Sequence, residues 1–193
     1  MSPIGYYICR LIVAQIQKEH PEKTLEIWFQ DEARVGQQGR LTRIWGERGK
    51  RLRLLKDMRF EYTYIFGAVC PERDIGEAIV INCVGKEATQ SHLEAISLRV
   101  SENGHALLVM DRAPWHKSLN VPSNITLIYL PSYSPELNPQ ENVWEYLKNT
   151  YLSNIIFINL EHVTQACCDA WNALCQETGR ISSLASRSWA ITI

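Results

Sequence analysis

These 193 residues read as an α/β sandwich, with helices flanking a mixed central sheet of about five strands. Three observations carry that reading. An early segment alternates apolar and polar residues in strand rhythm. Two later runs, ALLVM and ITLIYL, are short and continuously apolar. The stretches between and after those runs repeat apolar residues at spacings of three and four. A strand meander, then alternating helix and strand, then helices, gives one sheet with helices on its faces.

The elements come in order along the chain. Apolar residues from Ile8 to Gln17 have helical spacing and His20-Pro21 ends the run, so residues 1–23 form a helix or linker stub before a domain spanning residues 24–193. From Thr24 to Gln30, Leu25, Ile27 and Phe29 alternate with Glu26, Trp28 and Gln30, which predicts a strand. Gly36, Gly39, Gly46 and Gly49 divide the next stretch into turns and short strands. Glu61 to Val69 and Glu77 to Val84 are rich in β-branched and aromatic residues and complete a meander around a turn at Pro71-Glu72-Arg73-Asp74. Leu93, Ile96 and Val100 predict a helix from Thr89 to Val100, closed by Asn103-Gly104. Strands at Ala106–Met110 and Ile125–Leu130 are apolar throughout and so expected to be covered on both faces. A Pro-rich loop, Pro131 to Pro135, leads to a helix beginning near Asn138, and a further helix is predicted from Leu160 to Gln176. The tail from Ile181 to Ile193 is either an ordered extension or a short strand.

The composition, 46% hydrophobic and 21% charged, is that of one ordinary globular domain. A fold of about 150–200 residues buries close to 70% of the surface its unfolded chain exposes, so no disulfide or metal is needed to hold it together. The six cysteines show no paired Cys-x-x-Cys spacing and read as reduced, small apolar residues. With no signal-peptide pattern and no apolar run of about 18 residues, neither export nor membrane insertion is expected, and the cytoplasm is the default location.

Chemistry is concentrated in three acids. Asp111 follows LLVM, at the carboxyl end of a buried strand, where open α/β sheets place their ligands. An Asp opening a turn before Arg112-Ala113-Pro114 is the structural alternative. Asp31 follows LEIWFQ with Glu32 beside it; alternation puts the two on opposite faces, so only one can share a site with Asp111. Glu141 lies in the first turn of the helix near Asn138. There Asn138 as N-cap, Pro139 next and Glu141 third make a capping box that alone is worth about 1 kcal/mol. The same geometry aims a carboxylate rigidly, because Val143, Trp144 and Leu147 bury the neighbouring face. Three carboxylates are hard oxygen donors suited to Mg2+ or Mn2+, and two such ions about 3.5–4 Å apart can activate a water and stabilise the leaving oxygen of a phosphodiester.

Other residues are candidates for substrate contact. A net charge of −1 argues against binding nucleic acid over the whole surface. Between Arg40 and Arg59, however, Arg40, Arg43, Arg48, Lys50, Arg51, Arg53, Lys56 and Arg59 face only Glu47 and Asp57, with Trp45 among them. That is either a solvated hairpin or a basic, aromatic track for a nucleic-acid backbone. His116 and Lys117 are placed to touch phosphate or influence a metal-bound water, although a lone loop His is more often a local hydrogen-bond partner. Tyr133 and Ser134 lack a His–acid pair to activate them as nucleophiles.

Phe29-Gln-Asp-Glu-Ala-Arg34, Met110-Asp-Arg-Ala-Pro-Trp-His-Lys117 and Leu130-Pro-Ser-Tyr-Ser-Pro-Glu-Leu-Asn-Pro-Gln-Glu-Asn-Val-Trp144, continuing to Leu147-Lys148, closely resemble the three catalytic blocks of DDE transposases. The resembling branch is the bacterial insertion-sequence family six-thirty of the mariner superfamily, and the likeness runs from about residue 24 to 190. It implies a ribonuclease H-like fold in which Asp31 and Asp111 bridge two Mg2+ ions, with Mn2+ as substitute, and Glu141 holds one of them. It also implies DNA cleavage at transposon ends followed by attack of the freed 3′-hydroxyl on target DNA, usually at TA, within a homodimer. Arg34, Lys117, Trp144 and Lys148 would lie near the DNA, and the basic run from Arg40 in a hairpin beside the site.

Two departures from the family stand out. Only 29 residues separate Asp111 from Glu141, fewer than usual there, the shortfall falling around Leu119 to Ser123, where a helix is expected to have shrunk to a loop. Only about 20 residues precede the first strand, so the DNA-reading helix-turn-helix domains are expected on a separate domain or chain, and sequence-specific binding by this chain alone is expected to be weak. The competing readings are a ribonuclease H-like nuclease acting on hybrids or branched DNA, and a non-catalytic DNA-binding or oligomerisation remnant.

Overall fold

A computed structural model describes residues 13–36, 61–131 and 134–187. A short helix, α1 (residues 13–19), precedes five strands in one sheet: β1 (Thr24–Gly36), β2 (Tyr62–Cys70), β3 (Ile75–Ile81), β4 (Gly104–Met110) and β5 (Ile125–Tyr129). Between β3 and β4 lies α2 (Lys86–Arg99); after β5 come α3 (Gln140–Thr150), α4 (Leu160–Gln176) and α5 (Arg180–Ala185). The sheet order is β3-β2-β1-β4-β5, with β1, β2 and β3 antiparallel and β4 and β5 parallel to β1. The mixed five-stranded sheet expected from the sequence is therefore present.

Alternation along the strands divides the core in two. Leu25, Ile27, Phe29, Ala33 and Val35 of β1 join Ile65, Val69, Leu107 and Val109 in packing against Val143, Trp144, Leu147, Val163, Trp171, Leu174 and Ile181 of α3, α4 and α5. Trp28, Ala68, Cys70, Ala106 and Leu108 face the other way, onto Leu93 and Ile96 of α2. That second side also buries Glu26, whose carboxylate accepts hydrogen bonds from Trp28 Nε1, Arg73, Ser101 Oγ and the Ser101 amide. Four donors offset the cost of burying the charge, and they hold its pKa below the ordinary value although burial alone would raise it. Gly104 makes room for this cluster, since a Cβ there would lie 2.8 Å from Glu26 Oε1.

Several boundaries differ from expectation, each for a physical reason. β1 does not stop at Gln30: Asp31 to Gly36 continue the ladder opposite Gly67 to Tyr62, so Asp31 lies inside a strand. β3 begins two residues earlier than expected, at Ile75, because Cys70 and Ile75 still pair across the turn. α2 begins at Lys86 with Gly85 as N-cap. β4 is buried along its whole length, but β5 is an edge strand and only half covered, so the expectation of two covered faces holds for one strand of the pair. The loop expected around Leu119 to Ser123 is present, since residues 117–124 contain no helix. The described part of the tail, to residue 187, begins as a helix: α5 buries Ile181 and Ala185, and Asp74 accepts hydrogen bonds from the Gly179 and Ser182 amides at its start. Arg40, Arg43, Trp45, Arg48, Lys50, Arg51, Arg53, Lys56 and Arg59, and Ile8 to Ile12 of the expected first helix, lie outside the described residues.

Candidate active site

The parallel β1–β4 ladder ends at the pair Phe29–Val109, so Asp31 and Asp111 each follow two residues beyond it, on neighbouring strands whose usual spacing is about 4.8 Å. Asp31 continues the face of Phe29, toward α3. There Trp144, three residues after Glu141, donates from Nε1 to Asp31 Oδ2 at 2.9 Å. The strand opposite permits this contact. Gly67 pairs with Asp31, and a Cβ at Gly67 would run into Trp144 and lie 2.8 Å from the Trp171 ring. Burial, then the charges of Glu32 and Glu141, push the Asp31 carboxyl up to about 7, against the hydrogen bonds from Trp144 and the Glu32 amide. Asp31 and Glu141 are thus close enough for their charges to interact.

Glu32 points to the opposite face, as alternation requires. It is engaged by Gln30 Nε2 at 3.0 Å and by His116 Nε2 at 2.9 Å. Burial acts to raise its pKa, but the His116 hydrogen bond and charge prevail and hold it below the ordinary value. His116, only 1% exposed, turns its other nitrogen, Nδ1, to Asp111 Oδ1 at 2.9 Å. Burial alone would lower the imidazole's pKa; its bonds to Glu32, and then Asp111, raise it.

Asp111 is half exposed, its Oδ1 also accepting from the Ala113 amide at 2.9 Å, so the turn-initiating role is real. Among the described residues no hydrogen bond reaches its Oδ2. Glu141 is exposed in the first turn of α3. Asn138 Oδ1 accepts from the Gln140 amide, while Asn138 Nδ2 donates to the Gln30 carbonyl, tying the start of α3 to β1. The N-cap of α3 is Pro139, with no side-chain cap, and among the described residues no bond returns from the Glu141 carboxylate to the Asn138 amide, so the capping box expected on Asn138 is not formed.

The substrate-contact candidates separate sharply. Arg34 is exposed, its guanidinium 5.2 Å from the centre of the Tyr62 ring; Lys117 is exposed and Lys148 partly so. Trp144 is buried, as its place on the α3 face predicts, and neither it nor His116 stands at the surface where the resemblance and the phosphate-contact reading put them: Trp144 is 3% exposed, packed against Trp171 and bonded to Asp31, and His116 is bonded to Glu32. These inward links, Trp144 to Asp31 and Gln30–Glu32–His116 to Asp111, were not read from the sequence; their partners lie 113 and 84 residues apart. Among the described residues no three acids, histidines or cysteines already surround one point as a metal site would require. The donor chemistry nonetheless fits a divalent cation. The groups are hard oxygens, among the described residues Asp111 keeps one oxygen open, and burial, with the neighbouring charges of Glu32 and Glu141, raises the proton affinity of Asp31.

The model of the family described as "DDE superfamily endonuclease" matches residues 26–164. The chain belongs to that family. The chain is 45% identical over 131 residues to the uncharacterized protein y4pE/y4sA of Sinorhizobium fredii, a match covering 67% of this chain and 97% of the relative. Its fold is similar to the Mos1 mariner paired-end complex with Mg, at a TM-score of 0.62 and 13% identity over 90% of this chain and 54% of that one. The Mos1 Strand Transfer Complex gives a TM-score of 0.56 and 12% identity over 94% of this chain and 61% of the other. The chain therefore spans a little over half of the solved chains it resembles, and the likeness is one of fold: a mixed five-stranded sheet flanked by helices. Among the described residues no helix is long and apolar enough to cross a membrane.

Proposed function

We propose that this chain is the catalytic domain of a DDE transposase, cutting DNA at transposon ends and joining the 3′-hydroxyl to target DNA. The observation that carries the reading is the placement of Asp31 and Asp111 just past the last pair of one parallel ladder, with the start of α3, which bears Glu141, tied to β1 through Asn138 and Trp144. Family membership supports it, as does likeness in fold to chains solved in strand-transfer and paired-end complexes. We assign the chain to the insertion-sequence family six-thirty and its fold to the ribonuclease H-like class on the sequence blocks around these acids.

Asp31, Asp111 and Glu141 would hold Mg2+ or Mn2+, which when bound supplies charge neutralisation at the phosphodiester and lowers the pKa of an attacking water or hydroxyl. The protein's own part is preorganisation. Trp144 and the Glu32 amide fix Asp31 from behind, while His116 and Ala113 fix one oxygen of Asp111. In each displacement the attacking oxygen bonds to phosphorus as the P–O bond to the leaving oxygen breaks, and the proton shed by the nucleophile passes to solvent. Arg34, Lys117 and Lys148, with the basic run from Arg40, would hold the DNA backbone. End pairing would need a homodimer, and end recognition a separate helix-turn-helix domain or chain.

The test is nicking of supercoiled plasmid in Mg2+ and in Mn2+. Asp31→Asn, Asp111→Asn and Glu141→Gln should each reduce it to background while the proteins remain folded by circular dichroism. Nicking that survives all three substitutions would refute the assignment. Preference for RNA–DNA hybrids or branched DNA over duplex would favour the ribonuclease-type alternative.

A further inference from the structure

Of the two strand-borne acids, Asp111 is the less enclosed by the fold. The last β4–β5 pair is Met110–Tyr129, so Asp111 is beyond the ladder, and its side chain is 55% exposed. An exposed Asp at a strand end samples several rotamers, and ordering it at the moment of metal binding costs affinity. One buried residue opposes that freedom. His116 reaches Asp111 Oδ1 through Nδ1 at 2.9 Å and the Asp111 carbonyl at 3.2 Å, and is itself gripped at Nε2 by Glu32 Oε1 at 2.9 Å. Glu32 is in turn fixed by Gln30 Nε2, and Tyr129 Oη donates to the His116 carbonyl from the edge strand.

The string Gln30–Glu32–His116–Asp111 thus runs from the α2 side of β1 to the loop after β4, and every member but the last is largely buried. Fold stability alone does not account for it. Burying a carboxylate and an imidazole is costly, and apolar residues of similar volume commonly do as well or better. Its geometry has a definite result: the Ala113 amide donates to Asp111 Oδ1, and the His116 ring, hydrogen-bonded through Nδ1 to the Asp111 carbonyl, sits 2.9 Å from that same Oδ1, so among the described residues both contacts fall on Oδ1 and leave Oδ2.

We propose that His116 is a positioning residue that, braced by Glu32, fixes the rotamer of Asp111 so that Oδ2 is offered to the divalent cation. The proposal rests on the reading of Asp111 as a metal ligand. Partners behind metal ligands commonly contribute about 10–100-fold in metal affinity, which sets the expected effect.

Mn2+ binding is measured by electron paramagnetic resonance of the free ion with plasmid DNA present, alongside the Mn2+ concentration for half-maximal nicking and the melting temperature in EDTA. His116→Gln keeps a donor toward Glu32 but loses the one to Asp111; Glu32→Ala removes the brace; Glu32→Gln removes its charge and keeps an acceptor for Nε2. His116→Gln and Glu32→Ala should weaken Mn2+ binding about tenfold or more, whereas Glu32→Gln should stay within about threefold of wild type. The Glu32→Ala/His116→Gln pair should be no weaker than the poorer single variant, because one string is cut twice.

Wild-type Mn2+ affinity in His116→Gln, with or without a lower melting temperature, would overturn the proposal and leave a purely structural tie. Glu32→Gln as damaging as Glu32→Ala would overturn it in favour of Glu32's charge. Asp111→Asn separates the two levels of the argument. If it binds Mn2+ like wild type, Asp111 is no ligand and both readings fail; if it loses binding while His116→Gln does not, only the positioning role fails.

Discussion

At Asp31 the requirements of chemistry and of folding pull in opposite directions. Its carboxyl is pushed up to about 7 by burial and by Glu32 and Glu141, against 3.8 ordinarily, so between about pH 4 and pH 7 the folded protein keeps a proton the unfolded chain has released. Stability therefore falls as pH rises through that window and levels off above it. Asp31→Asn, which removes the charge and keeps an oxygen for Trp144, should raise the melting temperature at pH 8 in EDTA by several degrees, since 1 kcal/mol corresponds to about 2–4 °C at this size. The gain should shrink at pH 5, and scanning calorimetry at the two pH values checks it. Trp144→Phe should cost about 1–3 kcal/mol in denaturant titration, through lost packing and a buried carboxylate deprived of its donor. The three acids were legible in the sequence because each interrupts an apolar run or opens a helix. The choice between Asp31 and Glu32 was not, because alternation says only that they diverge. The burial of Trp144 was legible from its place on the α3 face, and His116 as a local hydrogen-bond partner from its place in a loop, but the bonds to Asp31 and Glu32 were not, because those acids are distant in sequence.

Among the elements, β1 shows how a local pattern runs out before the structure does. Asp31, Glu32 and Arg34 break the apolar rhythm, yet Ala33 and Val35 remain buried and the ladder with β2 continues to Gly36. Pairing with a neighbour, invisible in a single window of sequence, extends the strand and places Asp31 opposite Gly67. Gly67→Ala should destabilise by about 1–3 kcal/mol, as overpacking does, and displace Trp144 from Asp31. A chemical melt combined with tryptophan fluorescence reads both effects. Glu26→Ala should cost about 3 kcal/mol or more by stranding Arg73 and the donors of Trp28 and Ser101, measured by the same melt. The apolar content of β4 and β5 marked both as strands, but apolarity does not say which lies at an edge; the topology leaves β5 there. The last helix was missed because its anchor, Asp74, belongs to a turn more than a hundred residues earlier.

For the whole molecule, the sheet order brings the ends of β1 and β4 together and lays the start of α3 across them, so three sequence blocks far apart converge at one end of the central strands. The fold class could be read from the sequence because it depends on the order of elements. The state of the site could not, because it depends on which carboxylate oxygens are held and which are left open. The central claim is that Asp31, Asp111 and Glu141, and not Glu32, hold the metal used for phosphodiester chemistry. Anomalous diffraction from crystals of the protein with duplex DNA and Mn2+ tests it most directly. Manganese peaks bounded by Asp31, Asp111 Oδ2 and Glu141, with Glu32 still on His116, are the predicted result; manganese on Glu32, or DNA bound with no manganese at the three acids, would contradict it.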